Sequence, residues 1–176
     1  MERLDKLIAY LKEFGLKPKV DNFESKLIIQ KAVCLLELQG AQLGYGYSLY
    51  VRGPYSPELT QEMYANKQKI QNLETGSSLT SKEENMAKKI KEFTDLIPSM
   101  LEIVATYAYL VKSGLNPSEA TTRLRKLKPF YSASQIIMGI NRAKELFPPS
   151  AKEVDDMLKE FREWDLATST DLSKWD

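Results

Sequence analysis

Proton transfer, acyl transfer and transition-metal binding lean on histidine, and none of the 176 residues is one. Ser-His-Asp and Cys-His arrangements and every His-ligated metal site are thereby excluded. The single cysteine, Cys34, can build neither a CxxC motif nor a thiolate zinc cage. It sits in LIIQKAVCLLEL, an apolar run in which it reads as a small buried hydrophobe. No GxxxxGK[ST] loop offers itself to a phosphate. Gly44-Tyr45-Gly46 precedes an extended stretch instead of opening a helix, the wrong order for dinucleotide binding. Asp, Glu, Lys and Tyr are what remains for acid–base work. The pairs Glu83-Glu84 and Asp155-Asp156 are neighbours about 100° apart on a helix, so they diverge into solvent. The expectation is a non-enzymatic chain with no catalytic residue, no cofactor and no metal.

The elements that would position any site are well punctuated. Leu4, Leu7, Ile8 and Leu11 form one stripe of a helix over 3–14, stopped by Gly15 and Pro18. Asp21 or Asn22 caps a second helix to about Gln39, apolar nearly all round, with Lys26, Gln30 and Glu37 as a narrow polar strip. Tyr47, Leu49 and Val51 then alternate with Ser48, Tyr50 and Arg52, the period of a short strand, which Gly53-Pro54 ends. Ser56 caps a helix with Pro57 at its first position, carrying Leu59, Met63 and Ile70 inward. A lone strand leaves its backbone unpaired, so 47–52 is expected to pair with 70–74, with 77–79, or with both. Thr80 with Glu83, Asn116-Pro117 with Glu119, and Ser132 with Gln135 open later helices as capping boxes. Pro98 starts another apolar helix, ended by Gly114. Pro148-Pro149-Ser150 breaks the chain before a last helix to about Leu166.

The fold class expected is mainly α, with about seven helices and a small two- or three-stranded β element near residues 47–79. Residues 1–147 are read as one helical domain. Residues 148–176 form an acidic helix and polar tail, ATSTDLSKWD, packed on or extending that domain and loose at its end unless Trp175 docks.

Net charge is +1, so no whole-chain attraction to nucleic acid or membrane follows. The run from Leu96 to Val111 is broken by Pro98, Ser99 and Glu102 and is too short to span a bilayer. One cysteine and no disulfide framework make the cytoplasm the expected compartment.

Two surfaces are candidates for recognition. Tyr45, Tyr47, Tyr50, Tyr55 and Tyr64 crowd around the strand and turn, and of Tyr47 and Tyr50 one must face outward. An exposed tyrosine beside Arg52 suits a protein partner or self-association, so Tyr50, Arg52 and Tyr55 are the candidate contact. The alternative is DNA. Residues 112–147 hold Lys112, Arg123, Arg125, Lys126, Lys128, Arg142 and Lys144 against Glu119 and Glu145. Two capped helices joined by KPFYS there could be a helix-turn-helix, and a winged-helix-like regulator would use this basic region or a 70–79 hairpin as a wing, with Arg123, Arg125, Lys126 and Arg142 as contacts. Cations in the last turns of a helix also simply complement its dipole.

IIQKAVCLLELQG, GYSLYVRGPYSPEL and SLTSKEE together resemble the YwgA-type proteins and, more distantly, the Panacea domain of SocA-like antitoxins. The matching positions are Gln30 and Lys31, then Arg52 to Ser56, then Leu79 and Thr80, within residues 24–83. The resemblance implies a mainly helical domain with a small β element, without catalysis, that neutralises or tethers a protein partner or takes part in transcriptional regulation.

Overall fold

The computed structural model describes residues 3–172, which fall into two compact units divided between Leu146 and Phe147. Nine helices and one two-stranded sheet make up the described residues. In the first unit these are α1 (Arg3–Glu13), α2 (Phe23–Leu38), β1 (Ser48–Tyr50), β2 (Gly53–Tyr55), α3 (Pro57–Ala65) and α4 (Lys67–Gln71). They are followed by α5 (Ser81–Thr94), α6 (Pro98–Lys112), α7 (Pro117–Leu127) and α8 (Ala133–Leu146). The second unit holds α9 (Ala151–Leu172). The protein is thus mainly α with a small β element.

α2 and α6 are the central pair. Each is apolar over most of its circumference because it is covered on most sides: α6 lies against α2, α7, α8 and β2, and α2 against α3, α5 and β2. Ile29, Val33, Leu35 and Leu36 of α2 and Leu101, Ile103, Val104 and Ala105 of α6 are buried with them. Local chemistry sets the helix ends. Asn22 Oδ1 accepts the Ser25 amide, and Ser56 Oγ accepts the Leu59 amide ahead of Pro57. Reciprocal boxes link Thr80 with Glu83, Asn116 with Glu119, Ser132 with Gln135 and Ser150 with Glu153.

α6 and α8 touch across Gly139. A Cβ built there would lie 2.2 Å from Cγ2 and 2.8 Å from Cβ of Ile103. Both helices would have to separate, so Gly139→Ala is expected to cost about 1–3 kcal/mol. Gly76, in open space on the surface, is the control, and its alanine variant should stay within about 0.5 kcal/mol of wild type in urea denaturation.

Four sequence expectations are corrected. β1 pairs with β2, not with 70–74 or 77–79: the antiparallel register is Ser48↔Tyr55, Leu49↔Pro54 and Tyr50↔Gly53, and residues 74–80 contain no strand. Gly53-Pro54 therefore continues the sheet, and Val51-Arg52 is the turn, so Val51 is exposed and does not share the strand face expected with Tyr47 and Leu49. The helix expected to run on from Pro57 is interrupted at Asn66 (φ −119°, ψ 30°), although Leu59, Met63 and Ile70 are all buried as expected. Finally, α9 runs on through Leu172, so the first part of the expected loose tail is helical, while Trp175 lies outside the described residues. Val154, Met157, Leu158 and Phe161 form an exposed apolar stripe on α9.

Candidate functional site

The hairpin is gripped from two sides by polar side chains of buried helices. From α2, Gln30 and Lys31 reach the backbone of β2 and the corner after it. The Gln30 carboxamide accepts the Ser56 amide at 2.9 Å and donates to the Ser56 carbonyl at 2.8 Å and to Thr60 Oγ1 at 2.9 Å. Lys31 Nζ donates to the Pro54 carbonyl at 2.6 Å. Gln30 belonged to the expected polar strip of α2, yet both residues are 2 % exposed, because the hairpin packs over them, whereas Lys26 and Glu37 of that strip are half-buried.

From the other side, Glu102 of α6, 1 % exposed, accepts from Lys128 Nζ at 3.2 Å and from the Tyr131 hydroxyl at 2.9 Å, and Arg52 Nη1 stands 3.4 Å away. Lys128 Nζ also donates to the Val51 carbonyl at 3.2 Å, tying the turn itself to the end of α7. Gly53, with φ +91°, supplies the left-handed residue after the turn. It lies so close to α6 that a Cβ would fall 2.3 Å from Thr106 Oγ1.

A groove of about 380 Å³ opens between the start of α2 and the outer face of this hairpin. Its walls are Phe23, Leu27, Tyr50, Val51 and Tyr55, and its cations are Lys26, Lys31 and Arg52. Tyr50 and Tyr55, diagonal across the sheet, meet edge to face at 5.3 Å between ring centroids. The Arg52 guanidinium lies 5.4 Å over the Phe23 ring, and Lys26 Nζ donates to the Tyr64 hydroxyl at 2.7 Å.

Burial dominates the protonation equilibria here. It pushes the Lys31 amine down to about 8, with Lys128 and Arg52 adding to the fall and Glu102 opposing it. Burial lowers Lys128 too, against the attraction of Glu102, and raises the Tyr131 hydroxyl to about 12 with help from its bond to Glu102. A lysine whose folded pKa lies below its unfolded value of 10.5 penalises folding wherever the unfolded chain holds that proton more tightly. That penalty is complete below pH 8 and vanishes as pH rises to 10.5. Relative to Lys31→Met, the wild-type chain should therefore gain up to about 3 kcal/mol across this window. Paired urea titrations at the two ends would show it. Tyr10 and Tyr131, both raised to about 12, lose stability above pH 10 in both proteins and cancel in the difference.

The structure gathers Tyr50, Arg52 and Tyr55 around one groove, with Tyr50 the exposed member of the Tyr47–Tyr50 choice. Of the DNA candidates, it places Arg123 and Lys126 on a second, shallower groove along α7 that also holds Glu119, and leaves Arg125 and Arg142 out of its lining. Arg123, Arg125 and Lys126 are exposed on α7, whereas Arg142 on α8 is half-buried and 3.7 Å from Glu145. The outward face of α8 shows Ile137 and Met138, both exposed. Lys128, counted among the basic residues of the surface, is 1 % exposed and belongs to the hairpin cluster. The absence of a strand in 74–80 removes the expected wing.

Glu102 and Tyr131 are the residues that sequence reasoning missed. The available signal was a carboxylate inside the otherwise apolar SMLEIVATYAYLV, a placement that needs a buried partner. Cys34 is buried at 1 % exposure, and burial raises its thiol to about 12, far from a reactive thiolate. Glu83 is occupied by its capping box and Lys6, and Asp155 by Lys159. Among the described residues no group of three His, Cys, Asp or Glu side chains is placed to hold a metal ion, and no helix is long and apolar enough to cross a membrane. Comparison with protein-family models, curated proteins and solved structures finds no match to this chain.

Proposed function

We propose that the chain is a non-enzymatic protein-interaction module, antitoxin-like or regulatory, working in the cytoplasm and contacting its partner, or a second copy, through the hairpin groove. The observation that carries this reading is the exposure of Phe23, Tyr50 and Val51 together at the mouth of a groove whose hairpin is braced from beneath by α2, α6 and α7. Aromatic anchors and an arginine on a pre-organised surface are what protein interfaces favour. The buried polar groups beneath it, Gln30, Lys31 and Lys128, bond main-chain atoms of the hairpin, which is the work of a scaffold. The resemblance to the YwgA-type and Panacea proteins points the same way, as an analogy of fold.

The second reading, a DNA-binding regulator, rests on the exposed Arg123, Arg125 and Lys126 near the end of α7. One experiment separates the two. A photo-crosslinking amino acid is placed at Val51 or at Lys126 in cells that make the protein, and lysates are treated with nuclease. A discrete protein adduct at position 51, absent at 126, is expected. No adduct at 51, together with a duplex-DNA complex of the purified chain that weakens steeply with salt, would replace the first reading by the second.

A further inference from the structure

The groove carries an electrostatic imbalance that its own structure does not relieve. Three cations, Lys26, Lys31 and Arg52, lie among its lining residues, and none of those residues is acidic. The nearby carboxylate, Glu102, is already shared by Lys128, Tyr131 and Arg52 behind the turn. Lys31, Arg52 and Lys128 thus divide one carboxylate among three positive charges, and both Lys128 and Arg52 act against the charge on Lys31. A buried ammonium is costly unless an anion or a full set of acceptors surrounds it. Lys31 has three N–H donors, and the Pro54 carbonyl accepts from one of them. Arg52 is the movable member: its side chain is 58 % exposed, stacked over Phe23 and at the long limit of a hydrogen bond to Glu102. A small rotation would turn its planar fork toward a ligand carboxylate without uncovering Glu102, which keeps Lys128 and Tyr131.

From this geometry we infer the chemistry of the occupant: an extended partner segment in which an Asp or Glu side chain sits beside an aliphatic or aromatic anchor. The anchor lies against Phe23, Tyr50 and Val51, and the carboxylate meets Arg52 and Lys31. The inference rests on the protein-interaction reading above and specifies the partner's binding segment. The groove's size suits one large side chain and its neighbour, not a folded surface.

The test is a selection of random peptides displayed on phage against the intact chain, followed by fluorescence anisotropy with the enriched sequences. The variants are R52Q, K31Q and V51D, the last adding a carboxylate at the exposed turn. Enriched peptides should carry Asp or Glu within two positions of an apolar residue. Their affinity should fall about tenfold in R52Q, and by a similar factor when the peptide acid is replaced by its amide. V51D should abolish binding. Peptides enriched for apolar residues alone, or acidic peptides bound equally well as their amides, would overturn the carboxylate assignment and leave the interaction reading standing. Recovery of no peptide sensitive to V51D would overturn both. Should K31Q fail to fold, R52Q at the exposed turn still decides.

Discussion

Replacing Glu102 by alanine should lower the unfolding free energy by about 3–5 kcal/mol, the largest loss expected from any single substitution in the hairpin cluster. The reason is the count of charges. Among the described residues Glu102 is the carboxylate paired with Lys128, which is 1 % exposed, and it also takes the Tyr131 hydroxyl and stands near Arg52. Its removal strands a buried ammonium and leaves a phenolic O–H without its acceptor. Removing the cation instead is milder. Lys128→Met fills the same volume with an apolar chain, and the carboxylate keeps Tyr131 and Arg52. Urea denaturation followed by helical circular dichroism checks the ranking. Added salt should not restore Glu102→Ala, because screening acts weakly on buried charges. A loss below about 1 kcal/mol would mean that water reaches the cluster and that the pair behaves as a surface ion pair.

Gln30→Leu should also be damaging, at about 1–3 kcal/mol, for a different reason. Leucine matches glutamine in size, so packing changes little. One backbone group is orphaned, however: the Ser56 amide, on a residue that is fully buried, while the Ser56 carbonyl loses the carboxamide but still accepts the Thr60 amide at 3.3 Å. A buried amide left without an acceptor carries a desolvation penalty of about 1–3 kcal/mol. Thr60→Val removes the third partner of Gln30 and should cost less, since Thr60 is half-buried and a hydroxyl can be replaced by water. Hydrogen exchange at the Ser56 amide gives the direct readout. It should be slow in the wild type and fast in Gln30→Leu. Equal exchange in both proteins would show that the carboxamide does not hold the corner.

The capped helix starts were legible in the sequence because each is written in four or five consecutive residues. Thr80 with Glu83 and Asn116 with Glu119 close their boxes locally, whatever the rest of the chain does. The hairpin was not legible, although its first strand was. Val51 and Arg52 fit the alternation of 47–50, so the strand seemed to run through the turn. The turn also lacks the Asn-Gly signature, since its left-handed residue is Gly53. Pro54 read as a terminator, yet it sits in a strand opposite Leu49, in a two-stranded ribbon where both strands are edges. The break at Asn66 was hidden because Leu59, Met63 and Ile70 keep one stripe across it. Of the groove, the exposed members Tyr50 and Arg52 could be named from period 2. Glu102 was signalled only as a carboxylate inside an apolar run, and Lys128 and Tyr131 not at all, because nothing local distinguishes a buried lysine at a helix end from a solvated one.

The span of the hairpin's bonds has a consequence for time. Gln30 and Ser56 are separated by 26 residues, Arg52 and Glu102 by 50, and Lys128 and Val51 by 77. The helix caps close over three residues. Caps of that kind form early and re-form quickly, whereas contacts so distant must wait until the central helices have met. The groove is then expected to assemble only after the central helices have packed. Its mouth exists only as long as the grip from α2, α6 and α7 holds, and an occupant that bridges Arg52 and Lys31 would lengthen that interval by slowing the opening.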